Sequence, residues 1–271
     1  ETTREYTFES CGETLDMAEL QEIWESKLEP VYPYRKAGPT VEKINGKLNA
    51  PAAPKIGVAK PKVIIPVFPG TNCEYDTAKA FARAGADPEI LVIRNLTPAD
   101  VTASCEALVK AIGESQIVML PGGFSGGDEP DGSAKFIASF FRSPAVTEAV
   151  RDLLQHRDGL MLGICNGFQA LIKLGLVPYG DIRPITAYDP TLTFNTIGRH
   201  QSMLVRTRIA STGSPWLSHC DAGSEYEIAI SHGEGRFVAP QNVLDQLVAN
   251  GQVATQYVDL EGEPTMDQRY N

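Results

Sequence analysis

The chain has 271 residues, with 24 Lys plus Arg against 34 Asp plus Glu, for a formal charge of −10 at pH 7. At 42% hydrophobic and 21% charged residues it can bury one large core, which excludes a disordered or fibrous chain. The acidic balance also argues against nucleic acid or an anionic membrane surface as partner, because phosphate binding needs clustered Lys and Arg. Small molecules or proteins are expected instead. No run approaches the ~18 apolar residues of a membrane span, and the opening Glu1-Thr2-Thr3-Arg4-Glu5-Tyr6 resembles no secretory leader. With no initial Met, a fragment is expected. The five cysteines, Cys11, Cys73, Cys105, Cys165 and Cys220, are widely spaced and never form CxxC, which points to a reducing cytoplasm without a zinc site or disulfide framework.

In chain order, Leu20, Ile23, Trp24 and Leu28 recur at helical spacing behind Asp16, a predicted N-cap. Pro30, Pro33, Pro39, Pro51, Pro54 and Pro61, interleaved with Gly38 and Gly46, then predict a linker or extended wrapping segment, with a domain boundary near Pro61. Beyond it, β-rich runs alternate with amphipathic ones. Strands are predicted at 62–68, 89–94, 116–120 and 160–164, and helices at 77–84, 103–112, 133–141, 146–156 and 167–174. This is the rhythm of a parallel sheet covered on both faces. Three later strands, at 202–209, 225–230 and 253–258, have few helices between them and suggest an antiparallel extension.

The segment richest in chemistry is Gly163-Ile164-Cys165-Asn166-Gly167, after an apolar run and before a helix. That spacing fits a nucleophile elbow, where small flanking residues permit a tight turn and the nucleophile projects from the sheet. A helix N-terminus also favours negative charge, which suits a thiol that must act as an anion. The plain structural alternative is a buried core cysteine. For a base, His232 ends an apolar run with Glu234 two residues on. If the stretch is extended, both point to one side and Glu234 can hold the imidazole in the useful tautomer. The alternative is a solvated turn. His156 and His219 read as structural.

Leu120-Pro121-Gly122-Gly123-Phe124-Ser125 also follows an apolar run, and its backbone N–H groups suit an oxyanion, with Gly122 or Gly123 acting beside the N–H of Asn166. It is no Walker A loop, since Ser133 stands where Lys is needed. Asp128, Glu129 and Asp131 read as a solvated acidic loop, and no metal site is expected. Cys73, in Gly70-Thr71-Asn72-Cys73, is a rival nucleophile without tight glycine flanks.

Together these residues resemble the class I (triad) glutamine amidotransferases. The closer likeness is to the glutaminase domain of phosphoribosylformylglycinamidine synthase, carried by Val67-Phe68-Pro69-Gly70-Thr71-Asn72-Cys73, Leu120-Pro121-Gly122-Gly123-Phe124-Ser125, Gly163-Ile164-Cys165-Asn166-Gly167-Phe168-Gln169 and Ser231-His232-Gly233-Glu234-Gly235-Arg236-Phe237. The resemblance implies a flavodoxin-like, doubly wound α/β fold with a mostly parallel sheet. It implies Cys165 as nucleophile, His232 as base and Glu234 as its orienting partner. Phe124, Gln169, Asn195 and Arg199 would lie at the glutamine pocket. It further implies that residues 1–61 are a connector from a synthetase body in the same polypeptide. Residues 62–271 would be an amidotransferase domain incomplete at its C-terminus, with ATP and Mg acting in the synthetase and no cofactor in this chain. The segment Gly126-Gly127-Asp128-Glu129-Pro130-Asp131-Gly132 departs from the family pattern, which has an aromatic and then basic residues there. A stand-alone amidotransferase subunit, an amidotransferase of another synthetase, a related cysteine hydrolase or a thiol-sensing module on the same scaffold stays open on the residues alone.

Overall fold

The computed structural model describes residues 6–31, 33, 41–45, 57–126 and 133–267. An antiparallel hairpin of β1 (Thr7–Ser10) and β2 (Glu13–Asp16) leads into helix α1 (Met17–Ser26). Asp16 is the N-cap, its carboxylate accepting from the N–H groups of Ala18 and Glu19, donors that a helix start otherwise leaves open. The hairpin was not anticipated, because Glu13-Thr14-Leu15-Asp16 is too short and polar to show a strand period. No residue of α1 is buried, so its apolar stripe, including Ile23 and Trp24, faces outward. Of the predicted linker, Gly38, Pro39, Gly46, Pro51 and Pro54 lie outside the described residues.

The centre of the molecule alternates strand and helix. In order come β3 (Lys62–Val67), α2 (Glu74–Arg83), β4 (Asp87–Val92), α3 (Pro98–Glu114), β5 (Ile117–Leu120), α4 (Lys135–Phe141), α5 (Pro144–Arg151), β6 (Leu160–Gly163) and α6 (Asn166–Leu174). The four strands pair in parallel in the order β4-β3-β5-β6, the predicted flavodoxin-like winding. Side chains alternate across the sheet as the pleat requires. Ile64, Val118 and Leu120 join Leu108, Ile112, Phe141 and Val150 in one core, while Val63, Ile65 and Met119 face Ala78 and Phe81 on the other side. There Trp216 completes the cover, its ring 6.3 Å from that of Phe81 and its Nε1 donating to the Met161 carbonyl at 3.3 Å. The winding reverses between β3 and β5, and in open α/β sheets the crevice at the carboxyl ends of such strands is where ligands bind.

After α7 (Leu176–Tyr179) the chain leaves the parallel sheet. It forms β7 (Thr191–Thr193), β8 (Gln201–Ile209), β9 (Glu225–His232), β10 (Arg236–Val238), α8 (Gln241–Ala249) and β11 (Thr255–Val258). Strand β8 lies between β9 and β11, both antiparallel to it, while β7 and β10 form a separate antiparallel pair. The predicted antiparallel extension is present, but β7, β10 and α8 were not anticipated. The two strands are three residues each, too short to show alternation. Residues 42–45 dock on this extension: Gln256 accepts from the Ile44 N–H at 2.8 Å and donates to the Glu42 carbonyl at 3.0 Å, and Arg208 donates to the Ile44 carbonyl at 2.9 Å. Among the described residues no helix is long and apolar enough to cross a membrane.

The helix predicted at 146–156 is α5 running on into a π-helical turn, Asp152–His156, and the next residue has a structural use. Arg157 donates to the carbonyls of Ile112, Gly113 and Ser115 at 2.7, 3.0 and 3.0 Å, closing the C-terminal turn of α3, while Asp152 holds its Nε at 2.8 Å. Helix ends leave such carbonyls without partners, and a fork of N–H donors satisfies several at once. Arg157→Ala is expected to lower the unfolding free energy by about 2 kcal/mol, with Arg157→Lys recovering only part, as read by urea denaturation.

Candidate active site

Cys165 is the second of the two residues between β6 and α6, with φ 54° and ψ −112°. A non-glycine residue in that region carries strain of about 1–3 kcal/mol, which surrounding contacts must hold in place. The glycines around it explain how. A β-carbon on Gly167 would overlap the backbone carbonyl of Leu120, so α6 can press its first turn against β5 only because that position is bare. Cys165 is exposed, and the core-cysteine alternative does not describe it.

The Gly122-Gly123 loop lies directly beside it. A β-carbon on Gly122 would stand 3.4 Å from the Cys165 Cβ and 3.9 Å from its Sγ. The loop is fastened to the segment after β3 by backbone alone: Asn72 N–H donates to the Gly122 carbonyl at 3.0 Å and Phe124 N–H to the Gly70 carbonyl at 2.8 Å. Gly123, with φ 120°, sits so close that a β-carbon there would come within 2.6 Å of the Asn72 nitrogen and the Gly70 oxygen. The glycine-rich motifs after β3 and β5 are thus two loops in backbone contact. Cys73 caps the start of α2, exposed, its thiol donating to Asn72 Oδ1 at 3.1 Å. Phe124 is exposed at the rim, and the acidic loop 127–132 lies outside the described residues.

Beneath the elbow runs a polar chain that sequence reasoning only partly foresaw. Ser125 is buried and donates from Oγ to Asn166 Oδ1 at 2.6 Å, while its N–H reaches the same oxygen at 3.2 Å. Asn166 donates in turn to Gln169 Oε1 at 3.0 Å, and Gln169 Nε2 donates to the Glu234 carbonyl at 3.3 Å. Gln169, expected at the glutamine pocket, therefore links α6 to the histidine loop. Ser125 was visible only as part of a motif. Its role depends on Asn166, distant in sequence, and no local pattern could assign it.

His232 closes β9, and the chain bends immediately afterwards. That bend corrects the extended geometry expected for His232 and Glu234, because the two-residue rule holds only within a strand. The Nδ1 of His232 meets Asn195 Oδ1 at 2.9 Å, while Glu234 Oε2 accepts from Ser133 Oγ at 2.8 Å. Glu234 also faces half-buried Lys173; burial holds that ammonium below the ordinary lysine range, and the Glu234 charge opposes the shift. Burial, and then the nearby His200, likewise push His232 below the usual histidine value. Arg199 is exposed and contributes its backbone carbonyl to Asn195 at 3.0 Å. Beside His232 opens a cleft of about 260 Å³ lined by Asn195, Ile197, Phe237, Tyr257 and Met266 among others.

Residues 60–271 match the family model described as the CobB/CobQ-like glutamine amidotransferase domain. The phosphoribosylformylglycinamidine synthase subunit PurQ of Symbiobacterium thermophilum is 35% identical over 202 residues, covering 73% of this chain and 72% of that protein. The subunit of the same description from Mycolicibacterium paratuberculosis is 36% identical over 197 residues, covering 72% of this chain and 74% of that one. The solved structure of PurLQS from Thermotoga maritima superposes with a TM-score of 0.52 at 25% identity, covering 74% of this chain and 76% of the other.

Two expectations follow from the geometry. Gly167→Ala should lower the unfolding free energy by about 2 kcal/mol or more, because the overlap is with backbone that cannot rotate away. Since burial and then the neighbouring His200 both disfavour the imidazolium, the acid limb of any His232-dependent rate should lie below the ordinary histidine value. His200→Gln should move that limb upward in a pH–rate profile.

Proposed function

Because the chain belongs to the CobB/CobQ-like glutamine amidotransferase family, we propose that it is the glutaminase of a phosphoribosylformylglycinamidine synthase. The observation that carries this reading is the strained, exposed Cys165 at the mouth of a helix, with the Gly122-Gly123 loop packed beside its thiol. A cysteine held in a costly conformation at the carboxyl end of a parallel sheet suits a nucleophile better than a packing role.

In this reading the Cys165 thiol gives its proton to His232 and, as the thiolate, attacks the side-chain carboxamide carbon of glutamine, forming a C–S bond and placing negative charge on the carboxamide oxygen. Backbone N–H groups of Gly122 or Gly123 and of Asn166 receive that charge. Collapse of the adduct breaks the C–N bond, and His232 delivers a proton to the departing ammonia. Water, deprotonated by the same imidazole, then cleaves the thioester, releasing glutamate and restoring the thiol. Phe124, Asn195 and Arg199 border the glutamine pocket, and Gln169 joins α6 to the histidine loop. Glu234 is the acidic member that the family resemblance assigns behind His232. Its action on the ring requires the bend at 233–235 to turn, since its carboxylate sits on Ser133.

Ammonia then passes to a synthetase that uses ATP and Mg, with residues 1–61 as the connector of a single cytoplasmic polypeptide. The PurQ relatives are named as subunits, so the fused arrangement rests on the resemblance of residues 1–61 to a connector and not on those relatives. Cys165→Ala should abolish glutamine-dependent synthesis by the assembled enzyme while preserving synthesis from added ammonium. Loss of both activities would assign Cys165 a structural role instead.

A further inference from the structure

We infer that Ser125 is the positioning residue that holds the two donors of the oxyanion site in register, by fixing the side chain of Asn166 from the loop that carries Gly122 and Gly123. Its catalytic meaning rests on the glutaminase reading; its hydrogen bonds do not. The donors come from separate elements. Asn166 opens α6, whereas the glycines follow β5 and are fastened to the segment after β3. In that fastening Thr71 pairs with Gly123, and the bonds on either side use the Gly122 carbonyl and the Phe124 N–H. The Gly123 N–H therefore points away from the Thr71 segment, as it must to meet a ligand. A loop held from that side alone could still shift against α6. Ser125, buried at the end of the loop, ties it to the elbow.

The polarity of the tie is forced. The Ser125 N–H can only donate and lies 3.2 Å from the Asn166 side chain, so the atom facing it is Oδ1. An amide oxygen only accepts, so the Ser125 hydroxyl, 2.6 Å from the same atom, donates as well. Nδ2 is thereby turned to Gln169 Oε1 at 3.0 Å, which leaves Gln169 Nε2 for the Glu234 carbonyl at 3.3 Å. The chain begins at a backbone donor and ends at a backbone acceptor, so its two amides have one arrangement that satisfies both ends. Ser125 is 3% exposed and Asn166 1%, so a lost hydroxyl leaves Oδ1 short of a donor away from bulk solvent. The Asn166 side chain and its N–H share one backbone. A side chain clamped to Ser125 therefore sets the spacing between that N–H and the Gly123 N–H just ahead of Ser125.

The test measures glutamine turnover by the assembled enzyme together with alkylation of Cys165 by iodoacetamide, located by mass. Alkylation displaces iodide from a saturated carbon and forms no oxyanion, so it reads the thiolate without reading the oxyanion site. Ser125→Ala should reduce kcat about 30-fold, part of the roughly 100- to 1,000-fold that deleting an oxyanion donor costs, with KM changed less than about threefold. Alkylation of Cys165 should stay within about twofold of wild type. Added to Asn166→Ala, which lacks the acceptor, Ser125→Ala should cost less than about twofold more. Unchanged turnover in Ser125→Ala, a parallel fall in alkylation, or the full loss repeated on the Asn166→Ala background would each overturn the inference. If Asn166→Ala does not fold, the kcat and alkylation of Ser125→Ala decide the matter. A wild-type enzyme without Cys165-dependent turnover would overturn the glutaminase reading and with it the catalytic role of Ser125. Wild-type turnover that Ser125→Ala leaves intact would overturn the role of Ser125 alone.

Discussion

The site depends on one steric constraint, the approach of the first turn of α6 to the backbone of β5. Gly167 lies against the Leu120 carbonyl where no side chain fits, and this contact draws the chain from β6 into α6 through two residues, Ile164 and Cys165. Cys165 is left in a conformation that an L-residue avoids, its thiol outward beside the Gly122-Gly123 loop. Packing in the core stabilises the strain, since α6 buries Ala170, Leu171 and Leu174 in the same hydrophobic cluster that holds Ile64 and Leu120. The Ser125–Asn166–Gln169 chain, buried at Ser125 and Asn166, ties the elbow to neighbouring loops by hydrogen bonds.

The second half of the site is positioned by different means. The parallel sheet fixes Cys165, whereas the long antiparallel β8–β9 pairing and the short β7–β10 pairing fix His232, and the two halves meet where Gln169 reaches the Glu234 carbonyl. A parallel sheet with buried faces is rigid, so strain can be stored in it. The histidine loop leaves the eight-residue β9 through a bend into three-residue β10, and there the Glu234 carboxylate accepts from Ser133.

Much of this was legible in the sequence because it rests on local rules. Alternating apolar runs gave the parallel sheet, and the glycines flanking Cys165 revealed the elbow, since the need for bare positions is written at fixed spacing. Asp16 as N-cap followed from the same kind of local chemistry. The pairing of β7 with β10 was not legible, because three residues carry no period and register depends on a partner some forty positions away (roughly, by chain count). The expected His232–Glu234 contact failed for a related reason: it assumed a strand through 234, while β9 ends at His232. Asn195 was recognised near the site, but its bond to Nδ1 belongs to tertiary structure.

Treating the chain with a glutamine-like diazo-ketone and locating the adduct by mass tests the central claim most directly. A single adduct on Cys165, suppressed by glutamine, is the predicted result. An adduct on Cys73, or none in the assembled synthetase complex, would contradict it.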